Sequence, residues 1–408
     1  MRAFATFAAV AALFASPTFA ADRTPWVSTW FAAPVPVPAT DATATLSNET
    51  VRQIVHTTAG GTSVRIRLSN AFGTGDLHID KASIAQRASG SSIVAGSSAA
   101  LTFGGKADVI IPAGATLVSD PVAFAVAPQS DLAVSLYVAN PAQLSTVHLQ
   151  QRNAEYFAAG DMTAAETLTT LDAPATTHDW PLWLTSVEVA GGKAKSTLVT
   201  FGDSITDGAG PKADTNAAWP DVLYDRLQKT GARVGIANAG ASGNRVLHTA
   251  YWAPFGTAGL ARFDSDVLAQ PNVGSVIVLI GINDIGHPGS GAPMTDTTPP
   301  EEMEFALTQL ATRAHDHGLK IYAATMTPFR NTIFKGYYTD DKEAQRQAVN
   351  AWIRSNTVFD GYVDFDKALD DPAAPGQLKP EYDSGDHLHP SAAGDAAMAA
   401  VVPLNWFK

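Results

Sequence analysis

Residues Thr197 to Gly208 read TLVTFGDSITDG. Thr197, Leu198, Val199, Thr200 and Phe201 form a short apolar run rich in β-branched residues, which predicts a buried strand. The run stops at Gly202, and Asp203, Ser204 and the Thr206, Asp207, Gly208 turn follow. A sharp loop at the carboxyl end of a central strand is where open α/β sheets expose reactive groups. Ser204 is therefore the candidate nucleophile.

Downstream of this stretch the sequence alternates strand-like and helix-like segments. Strands are expected at Arg233 to Ala237, Ser275 to Ile280, Lys320 to Met326 and Tyr362 to Phe365. Helices are expected at Trp219 to Lys229, Thr257 to Leu268, Pro300 to His317, Asp341 to Ser355 and Ala392 to Val401. Such a succession predicts a mainly parallel sheet with helices on both faces, its functional blocks gathered at one edge.

Upstream the pattern is different. In SVRIRLSN, Val64, Ile66 and Leu68 alternate with Arg65, Arg67 and Ser69, the period of a strand with one face buried. Further strands are expected at VRQIVHTT from Val51, Leu77 to Ala85, Ala107 to Ile111, Val122 to Val126, Leu132 to Val138, Thr146 to Gln150 and Leu184 to Val189. Ala88 to Ala100 reads as a loop, and Asp161 to His178 as an irregular connection. Many short strands divided by turns predict a β-sandwich, jelly-roll-like, over residues 21–192. The α/β half then occupies residues 193–408, after the Gly191, Gly192 turn.

The chain opens Met1, Arg2 and continues as an apolar core too short to span a bilayer, ending in small residues near Ala20. This reads as a signal peptide over residues 1–20 and predicts export, periplasmic or secreted. No later run is long and apolar enough to predict a membrane span. Cysteine is absent, so stability rests on hydrophobic core and not on disulfides. The formal net charge of −12 and the lack of a basic cluster argue against nucleic acid as a partner.

Four stretches carry the chemistry: GDSIT from Gly202, NAGASGN from Asn238, GIND from Gly281 and DHLHP from Asp386. A serine hydroxyl needs a base to take its proton, and the base needs a third group to orient it. His389 and Asp386, three residues apart in one loop, can fill those places. His387 is the neighbouring competitor, read as a substrate-facing or exposed loop residue. Asp203 and Asp284 read as carboxylates that hold loop N–H groups. Tyr251 and Trp252 read as candidates for lining the acyl or leaving-group pocket, with Trp26, Trp30, Trp180, Trp183 and Trp219 as core or interface aromatics. Asp203, Asp207 and Asn283 could suit a hard cation, but no histidine pair at ligand spacing accompanies them.

The four stretches, in this order, resemble the motif blocks of the SGNH hydrolases, the GDSL esterase and lipase superfamily. The resemblance implies a three-layer α/β/α, flavodoxin-like domain and a serine ester hydrolase that needs no cofactor and no metal. It implies Ser204, Asp386 and His389 as the catalytic triad. It further implies an oxyanion hole from the backbone N–H of Ser204, the backbone N–H of Gly243 and the side-chain amide of Asn283. A short-acyl esterase that deacetylates carbohydrate is the leading expectation, acting on a small-molecule or carbohydrate ester. A lipase or lysophospholipase is the enzyme alternative, an inert glycan-binding protein the non-enzymatic one, and a metal-dependent phosphoesterase a third.

Overall fold

The computed structural model describes residues 25–150, 152–169 and 180–407. The expected signal peptide, and the part of the Asp161 to His178 connection beyond residue 169, lie outside the described residues.

The N-terminal half is a β-sandwich of two antiparallel sheets. One runs in the order Val27–Phe31, Leu184–Ala190, Gly61–Ser69, Thr116–Val118, with Val122–Val126 also paired to Gly61–Ser69. The other runs Glu155–Ala159, Glu49–His56, Asp131–Val138, Lys81–Ser89, Ser92–Ile93, with Ala99–Leu101 also paired to Lys81–Ser89. Val64, Ile66 and Leu68 point into the core as their alternation predicts. On the opposite face Arg65 and Arg67 grip Glu188 of the adjacent strand, at 2.6 Å each.

Several sequence expectations are corrected here. The Leu77 to Ala85 strand is two strands, Leu77–Ile79 and Lys81–Ser89, broken at Asp80, whose carboxylate accepts the Ala139 N–H. Ala88 to Ala100 is not a plain loop: its Ala and Ser residues carry little side-chain signal, yet their backbone pairs with Lys81–Ser89. Val27–Phe31, Thr116–Val118 and Glu155–Ala159 are strands with no clear alternation to announce them. Glu49–His56 is buried on both faces, because the Arg52 guanidinium donates to the carbonyls of Ser91, Met162 and Ala165, and Gln53 pairs with the Leu182 backbone.

In the second half five parallel strands are β1 (Ser196–Gly202), β2 (Val234–Gly240), β3 (Val273–Leu279), β4 (Lys320–Ala324) and β5 (Gly361–Val363). Their spatial order is β2-β1-β3-β4-β5, so the topological switch lies between the ends of β1 and β3. In chain order the helices used below are α1 (Ser204–Asp207), α2 (Trp219–Lys229), α3 (Gly259–Phe263), α4 (Ile282–Gly286), α5 (Pro300–Asp316), α6 (Asp340–Ser355), α7 (Phe365–Leu369) and α8 (Ala392–Val401). Helices α2, α7 and α8 pack together in one layer and α3, α5 and α6 in the other. The expected Thr257 to Leu268 helix is shorter: α3 ends at Phe263 and gives way to a π-helical turn, Asp264–Leu268.

The outer edge of β2 is not left open. Thr58 Oγ1 of the β-sandwich accepts the Ile236 N–H at 2.9 Å and donates to the Ile236 carbonyl at 3.2 Å. Val27–Phe31 lies so close that a Cβ on Gly235 would stand 2.4 Å from the Ser28 carbonyl oxygen. An unpaired strand edge invites association, and here the N-terminal sheet covers it.

Candidate active site

Where β1 ends, Asp203 caps the single helical turn α1, its carboxylate accepting the Ile205 N–H at 3.1 Å. Ser204 is the first residue of that turn, so its own N–H has no acceptor within the helix. Gly202 has to be glycine, since a Cβ there would meet the Leu279 carbonyl oxygen of β3 at 2.4 Å. Ser204 is thereby placed at the switch point between β1 and β3.

The DHLHP loop approaches from the other end of the chain. His389 Nε2 lies 2.8 Å from Ser204 Oγ, and His389 Nδ1 lies 2.6 Å from Asp386 Oδ2. A carboxylate only accepts, so Nδ1 carries the proton, Nε2 presents its lone pair and Ser204 Oγ donates to it. Asp386 Oδ1 also accepts the N–H groups of Leu388 and His389, at 2.9 and 2.8 Å. Burial alone would raise the Asp386 pKa, but the His389 ring and these N–H groups outweigh it and bring the carboxyl down to about 2. His387 turns away with φ 57° and pairs through Nδ1 with Asp383. Pro390 stands one residue before the Ser391 N-cap of α8, whose hydroxyl accepts the Gly394 N–H and begins the helix there.

Two further stretches supply donors. Gly243 adopts φ 74°, and its N–H finds no acceptor among the described residues. A Cβ at this position would lie 2.1 Å from the Phe255 ring. Across the switch point, Asn283 on α4 is buried; its Nδ2 donates to the Asn244 carbonyl at 3.0 Å, leaving one N–H free, and its Oδ1 accepts from Tyr337 Oη at 2.7 Å. Asp284 accepts the N–H groups of Val246 and Leu247, at 2.8 and 3.0 Å, and so ties the turn after Gly243 to α4. The preorganised result is a serine hydroxyl in line with an imidazole and a carboxylate, with nearby unpaired N–H donors. This combination suits acyl transfer.

Residues 200–397 match the GDSL-like lipase/acylhydrolase family. Over that span the chain is a GDSL hydrolase. Its reaction class is carboxylic ester hydrolysis. Among solved structures, the GDSL domain is similar to a variant of an acetyl xylan esterase from Geobacillus stearothermophilus, at 23% identity over 51% of this chain and 93% of that one, TM-score 0.39. It is also similar to an α/β hydrolase from the metagenome of Lake Arreo, Spain, at 25% identity over 51% and 93%, TM-score 0.38. A GDSL-like lipase from Bacteroides thetaiotaomicron matches at 18% identity over 50% and 85%, TM-score 0.34. No curated protein matches the chain.

Some residues of the GDSL site have no motif to mark them. Tyr337 lies in a loop 54 positions from its partner Asn283. Phe255 packs on Gly243, stacks at 5.3 Å on His287, and His287 meets Tyr337 at 5.7 Å. Burial, with Arg245 and Lys342 nearby, pushes His287 down to about 4, so its ring is neutral and serves as a wall. Of the expected pair, Trp252 sets its edge on Phe255 at 4.7 Å and meets Trp180 at 6.4 Å, while Tyr251 is exposed.

Proposed function

We propose that this GDSL hydrolase is an exported serine esterase that removes short acyl groups, acetyl above all, from carbohydrate. Ser204 attacks the ester carbonyl, His389 takes its proton and returns it to the leaving alcohol, and Asp386 keeps the imidazole in the required tautomer. An acyl-enzyme on Ser204 follows, and water attacks it with His389 again as base. The N–H groups of Ser204 and Gly243 and the Asn283 amide hold the oxyanion in both steps. The observation that carries this reading is the in-line pair of hydrogen bonds, Ser204 to His389 at 2.8 Å and His389 to Asp386 at 2.6 Å.

The substrate class is argued from the walls. Phe255, His287 and Tyr337 crowd the space beside Gly243 and Asn283, which favours a short acyl group over a long chain. From the half-buried Phe255 the aromatic surface continues through the exposed Trp252 to the half-buried Trp180, and an exposed aromatic face such as that of Trp252 suits a sugar ring. The division into an accessory module (residues 21–192) and a catalytic one (193–408), and export on the basic and apolar start of the chain, belong to the same proposal. A panel of p-nitrophenyl esters from acetate to palmitate, run beside acetylated xylan and pectin, tests it. Highest kcat/KM on acetate with release of acetate from a polysaccharide is expected. A maximum at palmitate would make the protein a lipase, and no turnover of any ester would overturn the proposal.

A further inference from the structure

Asp207 closes the helical turn that Ser204 opens, and its carboxylate is fully buried. One oxygen, Oδ2, accepts the Ser242 N–H at 3.1 Å and the Ser242 hydroxyl at 2.9 Å. Ser242 directly precedes Gly243. The other oxygen, Oδ1, faces out of the GDSL domain toward the β-sandwich, where His148 Nε2 lies at 2.8 Å and Arg152 Nε at 3.5 Å. His148 is itself buried and held from behind, with Nδ1 3.0 Å from the Ala33 carbonyl oxygen and its backbone N–H on the Pro181 carbonyl. A carbonyl and a carboxylate can only accept, so Nδ1 donates to Ala33 and Nε2 to Asp207, and the ring is fixed in the plane that points Nε2 at the carboxylate.

A buried carboxylate is costly unless it is paired and hydrogen-bonded. Burial alone would raise the Asp207 pKa, yet His148, Arg152 and Ser242 together hold it below the ordinary carboxylate range. The nearest countercharges, His148 and Arg152, come from the N-terminal module. Without them, a poorly compensated anion would stand on Ser242, the residue before the Gly243 N–H, opposing any negative charge that develops there.

We infer that His148 is a positioning residue for ester hydrolysis: through Asp207 it fixes and neutralises the Ser242, Gly243 turn, so that the β-sandwich completes the oxyanion site of the GDSL domain. The inference rests on the reading of Gly243 as an oxyanion donor. It gives the N-terminal module a role in the chemistry of every substrate, small or polymeric.

The test uses full-length protein with His148→Ala, His148→Gln and Ser242→Ala, each titrated with a phosphonofluoridate so that kcat is expressed per reactive Ser204. With p-nitrophenyl acetate, His148→Ala should lower kcat per site by about tenfold or more while KM stays within about twofold. Affinity for a trifluoromethyl ketone, which forms an oxyanion on Ser204, should weaken by the same factor as kcat. His148→Gln, whose amide can still donate to Asp207 but brings no charge, should recover only part of the loss, and His148→Ala combined with Ser242→Ala should be no worse than His148→Ala. A His148→Ala protein with fewer titratable sites but wild-type kcat per site would show a purely structural role and overturn the inference. Should His148→Ala not fold, Ser242→Ala decides: a fall in kcat of about threefold or more at constant KM supports the inference, and an unchanged kcat rejects it. Failure of wild-type Ser204 to label would instead reject the serine-esterase reading itself.

Discussion

Tyr337 Oη donates a 2.7 Å hydrogen bond to Asn283 Oδ1, and both side chains are buried. An amide held by its oxygen cannot flip, so the free Nδ2 proton stays aimed to one side. The buried phenol, its ionisation pushed well above the ordinary range by burial and by the neighbouring carboxylates of Asp203, Asp284 and Asp386, remains a donor throughout the working pH range. Asn283→Ala should lower kcat by about 10² to 10³ with little change in KM, because the charge it meets exists only in the transition state. Tyr337→Phe should lose about tenfold in kcat by the same pattern, and the double variant should equal Asn283→Ala. A double-mutant cycle on p-nitrophenyl acetate checks this; strictly additive losses would uncouple the two residues.

Ser204→Ala should remove turnover by about 10⁴ to 10⁶ while leaving the fold intact, since the hydroxyl is the proposed attacking group and packs as a small side chain. Circular dichroism and active-site labelling check both halves of the statement. A folded Ser204→Ala protein with a tenth of wild-type activity would place the nucleophile elsewhere.

The two histidines of the DHLHP stretch differ in geometry, and their variants should differ accordingly. His389 bridges Ser204 and Asp386, whereas His387 faces Asp383 from a left-handed backbone position. His389→Ala should cost about 10² to 10⁴ or more in kcat/KM, the usual worth of a general base. His387→Ala should cost less than about tenfold. Steady-state kinetics with the reverse order of damage would reassign the base.

How much of this was readable in the sequence follows from how far apart the partners lie along the chain. The hydrogen-bonded trio of Ser204, His389 and Asp386 needs one local spacing, Asp386 to His389, and one strand end, Gly202 to Ser204, and both are visible as short motifs. The parallel strands are buried apolar runs and the long helices amphipathic, so α2 and α8 match their expected bounds. Val27–Phe31 escaped because it pairs with Leu184–Ala190, more than 150 positions away, and shows no alternation of its own. Tyr337 and His148 escaped for the same reason. Each acquires its role from a contact that only the folded sheet order creates.

Asp203 should make stability fall as pH rises. Burial pushes its carboxyl up to about 7, against partial relief from the Ile205 N–H and the Arg262 charge. In the unfolded chain the same group titrates near ~4, so between ~4 and ~7 the folded state binds the extra proton. The contribution is fully present below ~4 and lost as pH rises through about 7. Asp386 works oppositely: with its carboxyl at about 2, its contribution is present above ~4 and lost as pH falls through about 2. The melting temperature of wild type relative to Asp203→Asn should therefore decline from about pH 5 to pH 8. A difference that stays flat across that range would show Asp203 ionised in the folded protein.

Finally, a chain starting at Lys193 should not behave as an independent enzyme, although all four motif stretches lie beyond that point. Its length is within the usual range for a domain, which favours autonomy. Two features of the interface oppose it. Removal of residues before Lys193 uncovers the β2 edge, taking Thr58 from the Ile236 N–H and carbonyl, and exposes the flank where Ser28 packs on Gly235. An open apolar edge of this kind associates with copies of itself. The same removal strips His148 and Arg152 from the buried Asp207 carboxylate. Expression should give aggregated protein, and any soluble fraction should turn over p-nitrophenyl acetate at a tenth of the full-length kcat or less. Size-exclusion chromatography with active-site titration checks both outcomes. A monomeric Lys193 chain with full kcat on p-nitrophenyl acetate and reduced activity only on acetylated polysaccharide would limit the β-sandwich to presenting substrate.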